Sequence, residues 1–135
     1  MDITAEAKHI RISPRKVRIV AAAVKHLAPT VALSQLALLP KRAAAPIAKV
    51  IESALANAVN NAKLPVENLA IKSITVSGGT ALKRWRPVSR GRAHAYKKRA
   101  SHIRVVVTDE IKPVLAVAAS AKKEEVKEKK NGTKS

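Results

Sequence analysis

The chain has 135 residues, one domain's worth, of which 47% are hydrophobic, and its 27 Lys and Arg against 9 Asp and Glu give a formal charge of +18. Such an excess points to a polyanionic partner, nucleic acid before an anionic membrane surface, and away from an ordinary solvated surface. Cysteine is absent, which excludes disulfides and thiolate metal centres, and no apolar run approaches the roughly twenty residues of a membrane-spanning helix.

Other features of composition narrow the reading. Trp85 and Tyr96 are the only Trp, Tyr or Phe residues and both lie in a basic stretch, so the core is expected to be aliphatic. Charged residues follow Asp2 before any apolar run, so no secretory leader is expected. The missing cysteines fit a reducing compartment.

Thr4 to Ile12 reads as a strand with Ile10 and Ile12 on one side and His9 and Arg11 on the other. Ser13-Pro14 then starts a helix to about His26, with serine at the cap and proline at the first helical position. Val17, Val20, Ala21 and Val24 share one face, while Arg15, Lys16 and Arg18 lie largely off it. Pro29 stops this helix, and Thr30 can cap a second that ends near Leu39 before Pro40, with Leu33, Leu36 and Ala37 on its apolar face.

The longest predicted helix spans Lys41 to Ala62. Ile47, Val50, Ile51, Ala54, Leu55, Ala58, Val59 and Ala62 form its stripe. Pro46 requires either that the regular helix begin just before it or that the first turn be kinked. Asn60, Asn61, Lys63 and Pro65 close it, and strands follow at Leu69 to Val76 and His102 to Thr108.

Between these strands lies the most unusual segment. Lys83 to Arg104 contains nine Lys or Arg and no acid, and the acid-free window extends from after Glu67 to before Asp109. Because strands hold it at both ends, it reads as a protruding hairpin over about residues 78–101. Pairing centred between Arg90 and Gly91 sets Val76 opposite Val105 and Ile74 opposite Val107, with Ser89-Arg90-Gly91-Arg92 as the tip and Gly91 supplying positive φ. Each arm would extend roughly 33 Å beyond the body at the usual strand rise. No core can surround an arm of this composition, so a polyanion must stabilise it.

The segment from Ile111 to Ser135 carries seven lysines and three glutamates, net +4. It is expected to form a disordered or partly helical tail. No internal repeat is present.

Catalytic patterns are missing. His9, His26, His94 and His102 lack ligand spacing, so no metal site is expected. Ser101 and His102 are neighbours whose side chains would leave a strand on opposite faces, which spoils a nucleophile-base pair. Gly78-Gly79 lacks the following glycine and lysine of a phosphate-binding loop and suits a bend where the hairpin leaves the body. The scattered acids offer no pair for acid-base work, so neither enzyme, cofactor nor small-molecule substrate is indicated.

Taken in order, Ser13-Pro14-Arg15-Lys16-Val17-Arg18, Lys49-Val50-Ile51-Glu52-Ser53-Ala54-Leu55-Ala56-Asn57-Ala58, Leu82-Lys83-Arg84, Gly91-Arg92-Ala93 and Ser101-His102-Ile103 resemble the bacterial form of the large-subunit ribosomal protein twenty-two family. The match runs from about Ala7 to Thr108. The resemblance implies an α+β fold, three helices packed on a small three-stranded antiparallel sheet with a long protruding basic β-hairpin; the shift of composition after Glu110 bounds this domain at residues 1–110. The resemblance also implies binding to large-subunit ribosomal RNA beside neighbouring ribosomal proteins, a role in assembly, and a hairpin that lines the exit tunnel and meets the nascent polypeptide. The sequence departs from the family at Ser77-Gly78-Gly79-Thr80, at Val88, where arginine is common, and at Trp85, which either stacks on an unpaired base or covers the aliphatic side of the hairpin base.

The expected RNA contacts are Arg11, Arg15, Lys16 and Arg18 on the body, Lys83, Arg84, Trp85, Arg86, Arg90, Arg92, Lys97, Lys98 and Arg99 along the hairpin, and Arg104 beyond it. Two other readings compete. An architectural DNA protein also uses basic β-arms, and Pro87 near the tip could act as its wedge. A peripheral membrane protein needs lysines opposite large apolar residues, whereas these helices offer mainly Ala and Val.

Overall fold

In a computed structural model of the chain, residues 1–109 are described. The tail expected over 111–135 lies outside the described residues. The elements run β1 (Asp2–Ile10), α1 (Pro14–Val24), α2 (Pro29–Leu38), α3 (Ala44–Ala62), a 3-10 turn (Val66–Asn68), β2 (Ala70–Pro87) and β3 (Ala93–Thr108). The strands form one antiparallel sheet in the order β1-β3-β2. This is the α+β architecture expected, with the hairpin made by the far halves of β2 and β3.

The core is aliphatic, and it forms where the helices meet one face of the sheet. Central strand β3 contributes the buried Ile103, Val105 and Val107, which meet Val17, Val20, Ala21 and Val24 of α1 and Ile47, Ile51, Ala54 and Ala58 of α3. Burying each such valine, leucine or isoleucine contributes about 1.5–3 kcal/mol. The opposite face of the sheet carries the exposed Thr4, Glu6, Thr75 and Arg104, the in-out alternation of an antiparallel sheet packed on one side.

Helix boundaries differ from expectation where a proline acts at a start instead of a stop. Helix α1 ends at Val24, not His26, with Leu27 donating its N–H to the Val24 carbonyl at 3.2 Å. Pro29 opens α2, and Ala28 is the cap in place of Thr30, whose carbonyl instead accepts from the Ser34 hydroxyl at 3.2 Å. The buried face of α2 is Pro29, Ala32 and Leu36, whereas Ala37 is exposed.

Helix α3 begins at Ala44, so Pro46 sits in its first turn, where backbone N–H groups lack intrahelical partners in any case. Val59 lies 42% exposed at the margin of the expected stripe. Lys63 adopts the left-handed conformation at the helix end, φ 53°, and Leu64 N–H reaches the Ala58 carbonyl at 3.2 Å. The left-handed residue turns the chain back over the helix end and gives that carbonyl a partner, as at many helix ends.

The hairpin register is a correction. Val76 lies opposite Ile103 and Ile74 opposite Val105, not Val105 and Val107. At the tip Pro87 pairs with Ala93, and Val88 N–H donates to the Arg92 carbonyl at 2.9 Å, so three residues, Ser89-Arg90-Gly91, make the connection. The pairing then slips where Gly79 and Thr80 face the single Ala100, and again where Lys72 lies between Ile71 and Ser73. A bulge adds one residue to one strand and strengthens the local twist. A pairing drawn without bulges therefore cannot hold across the full hairpin.

Strand β1 ends at Ile10 instead of Ile12 for a related reason. Its register shifts between Ala7 and Ile10, where Lys8 and His9 face the single His102. His9 takes φ 57°, donates its N–H to His102 Nδ1 at 3.0 Å, and packs its ring edge-on against His102 with centroids 4.8 Å apart. Ile12 N–H then bonds the Ile10 carbonyl at 2.8 Å, which turns Arg11 out of the sheet.

Candidate nucleic-acid interface

The hairpin beyond the bulge at Gly79 has no core of its own. Every residue from Thr80 to Arg99 is exposed. Backbone pairing alone places its side chains in two rows. One face carries the cross-strand pairs Leu82 with Lys98, Arg84 with Tyr96 and Arg86 with His94, and the other carries Lys83 with Lys97, Trp85 with Ala95 and Pro87 with Ala93. Direct opposition of Lys83 and Lys97 is unfavourable in the free protein, because like charges facing each other across strands repel. The described acids, Asp2, Glu6, Glu52, Glu67 and Asp109, are all outside the arm.

Each face also bears one aromatic ring. Trp85 is 68% exposed and lies opposite small Ala95, so it does not cover the hairpin base. Tyr96, 43% exposed, lines a shallow cleft of about 340 Å³ with Arg86 and His94. A ring with one free face among arginines suits stacking on an unpaired base. His94 and Tyr96 were not among the expected contacts, although pairing them with Arg86 and Arg84 across the hairpin would have indicated their faces.

At the tip, Arg90 and Gly91 both have positive φ, 59° and 66°. The left-handed region costs an arginine about 1–2 kcal/mol that glycine escapes. Arg90 and Arg92 project from a loop with no carboxylate near them in sequence, and guanidinium groups there can grip phosphate in two-pronged fashion.

The body cations do not form one patch. Arg11, Arg15 and Lys16 are exposed. Arg18 is committed to the fold, since its Nε and Nη2 donate to the Val76 carbonyl at 3.2 and 3.1 Å. Because β2 is an edge strand, that carbonyl needs a partner from outside the sheet, and α1 supplies it. Arg104 stands on the exposed sheet face opposite Glu6 and Thr75, away from the hairpin cations.

The bulge between hairpin and body rests on a close approach. A Cβ on Gly79 would lie 3.1 Å from His102 Nε2 and 3.4 Å from the Ala100 carbonyl carbon, so only glycine fits without displacement. The bulge thus falls at the glycine pair where a bend is expected. Ser13 occupies the cap of α1, but it is its carbonyl that accepts, from Lys16 N–H at 3.0 Å and Val17 N–H at 3.3 Å; the hydroxyl makes no cap bond. Among the described residues no cluster of three or more His, Cys, Asp or Glu could hold a metal ion, and no helix is long and apolar enough to cross a membrane.

Comparison with known proteins matches these features to one family. The sequence profile described as Ribosomal protein L22p/L17e matches residues 5–108. Proteins named large ribosomal subunit protein uL22 are similar over most of their length. That of Mycoplasma capricolum is 47% identical over 110 residues, 82% of this chain and 99% of the relative. That of Desulfotalea psychrophila is 47% identical over 109 residues, 81% and 99% of the two chains. The Thermotoga protein is 46% identical over 112 residues, 83% of this chain and 70% of its own. With the profile covering the whole body and hairpin, the chain belongs to the ribosomal protein L22p/L17e family.

Proposed function

We propose that this chain is a structural, non-catalytic constituent of the large ribosomal subunit, in the cytoplasm, which binds large-subunit ribosomal RNA beside neighbouring ribosomal proteins. The observation that carries the reading is the exposed arm with cations on both faces and no acid from Ile71 through Thr108. An isolated arm of this kind repels itself, whereas phosphates on both sides neutralise it and release counterions. Arg84, Arg86, Arg90, Arg92, Lys83, Lys97, Lys98 and Arg99 grip phosphates along it, with Trp85 as a stacking ring. Arg11, Arg15 and Lys16 add a contact on the body, Arg18 positions the hairpin through Val76, and Arg104 makes a separate contact from the sheet face. Residues 1–110 act as one RNA-binding unit that supports assembly. The tip reaches the wall of the polypeptide exit tunnel, where it meets the nascent chain.

Gradient fractionation of a lysate tests the reading, with subunits separated at low magnesium and washed in high salt. Co-migration with the large subunit after the wash is expected, because diffuse electrostatic binding falls steeply with salt. Release to the top of the gradient, with preference for duplex DNA over ribosomal RNA at equal salt, would replace it with the architectural DNA reading.

A further inference from the structure

The hairpin meets the body at a cleft whose cations come from three separate stretches of chain. Its volume is about 580 Å³, and its walls include Arg11 from the segment after β1, Arg42 from the loop before α3, and Arg84, Lys98 and Arg99 from the hairpin root. A second depression of about 480 Å³ shares Arg11 and Arg42 and adds Lys16 and Lys41. The shared residues make the two into one trough, running from the hairpin root across the body towards α1.

Two features of the trough suit a particular occupant. No carboxylate lines either part, and none of these seven cations forms an ion pair among the described residues. Folding has gathered positive charge without gathering its counter-charge, which favours an anion supplied from outside. Apolar side chains also line it, Leu82 at the hairpin end and Ile12, Ile19 and Pro40 at the other, and Leu82 and Ile19 are open to solvent. Phosphates alone do not need such apolar contacts. The faces of unpaired bases do, and a double helix hides those faces.

We propose that this trough holds one unpaired strand of the ribosomal RNA, with Arg42 and Arg11 gripping phosphates at the junction and its bases lying against the exposed apolar side chains. The inference rests on the RNA-binding reading above and extends it to Lys41 and Arg42. Because cations of body and hairpin then hold the same strand, its binding fixes the angle at which the hairpin leaves the body. The bulge at Gly79 sets that angle in the free protein, and the strand locks it.

Binding of the full chain to large-subunit ribosomal RNA over a salt series tests this, with Arg42→Ala, Arg99→Ala and the double variant. Each single change is expected to weaken binding several-fold and to reduce the salt slope by about one. The double variant is expected to lose clearly less than the product of the single losses, since groups acting on one strand are coupled. Arg42→Lys keeps the charge and is expected to retain the salt slope. An unchanged affinity for Arg42→Ala, or single losses that simply multiply, would overturn the shared strand while leaving the RNA-binding reading intact. Failure of the unaltered chain to hold this RNA would overturn both. Dimethyl sulfate probing identifies the nucleotides whose protection Arg42→Ala removes; these are expected to be unpaired, and protection lost only within double helix would sink the single-strand assignment.

Discussion

Arg18 illustrates how a basic residue can be read as a ligand contact and yet serve the fold. Its position in a run of cations suggests phosphate, but its guanidinium closes the open carbonyl of edge strand β2 at Val76. Arg18→Ala leaves that carbonyl without its protein partner and is expected to lower stability by about 1–3 kcal/mol in urea unfolding. Loss of RNA affinity with no change in stability would contradict this role. Gly79 has the opposite character, mattering for what it lacks. Gly79→Ala places a methyl group against His102 and is expected to cost about 1–3 kcal/mol. Melting temperature measures it, and His102→Ala in the same chain is expected to relieve part of the loss by making room.

At the scale of elements, α3 is the part whose sequence and structure agree most closely. Its stripe at three- and four-residue spacing identified Ile47, Val50, Ile51, Ala54 and Ala58, and all five are buried. Ile51 is fully buried beneath the sheet. Ile51→Ala is expected to cost about 2–5 kcal/mol in denaturant unfolding, the usual range for deleting a buried aliphatic side chain. The sheet carries a pH-dependent tie of its own. Lys72, the extra residue of a β2 bulge, reaches across β3 and donates to the Asp2 carboxylate at 2.5 Å. The hydrogen bond and charge of Lys72 hold the Asp2 carboxyl below its ordinary range. A carboxyl depressed in the folded state contributes stability that is present above its unfolded value and lost as pH falls through its folded value. Stability is therefore expected to decline in acid below about pH 4. Asp2→Asn should flatten part of that decline, which thermal melts across the range would show.

For the whole molecule, charge dominates. The chain carries a formal +18, and its arm has no acid to offset it. Salt screens this self-repulsion, so the free protein is expected to gain stability as ionic strength rises. Binding to ribosomal RNA should weaken steeply over the same range. The opposite slopes, measured by thermal unfolding and filter binding, separate what charge does to the fold from what it does for the complex. A free protein that loses stability with added salt would contradict the repulsion argument.

Much of this arrangement is local and so legible from the chain alone. Helical and strand periodicities report which residues a single element buries, a run of cations reports its own charge, and a glycine pair between strand and basic arm reports a bend. Prolines are less easily read, since Pro29 fits a helix start as well as a stop and Pro46 a helix start as well as a kink, and the choice depends on what the preceding segment packs against. Register depends on bulges, which add a residue wherever a contact such as that of His9 with His102 demands it; periodicity carries no trace of them. The meeting of Arg11 and Arg42 with the hairpin root is the furthest from the sequence. These residues are brought together only by packing α3 on the sheet, and no spacing between them encodes it. Sequence alone therefore determined the aliphatic core, the helices and a basic hairpin, because each follows from neighbours along the chain. Tertiary structure alone decided the register and the cationic trough, because each follows from neighbours in space.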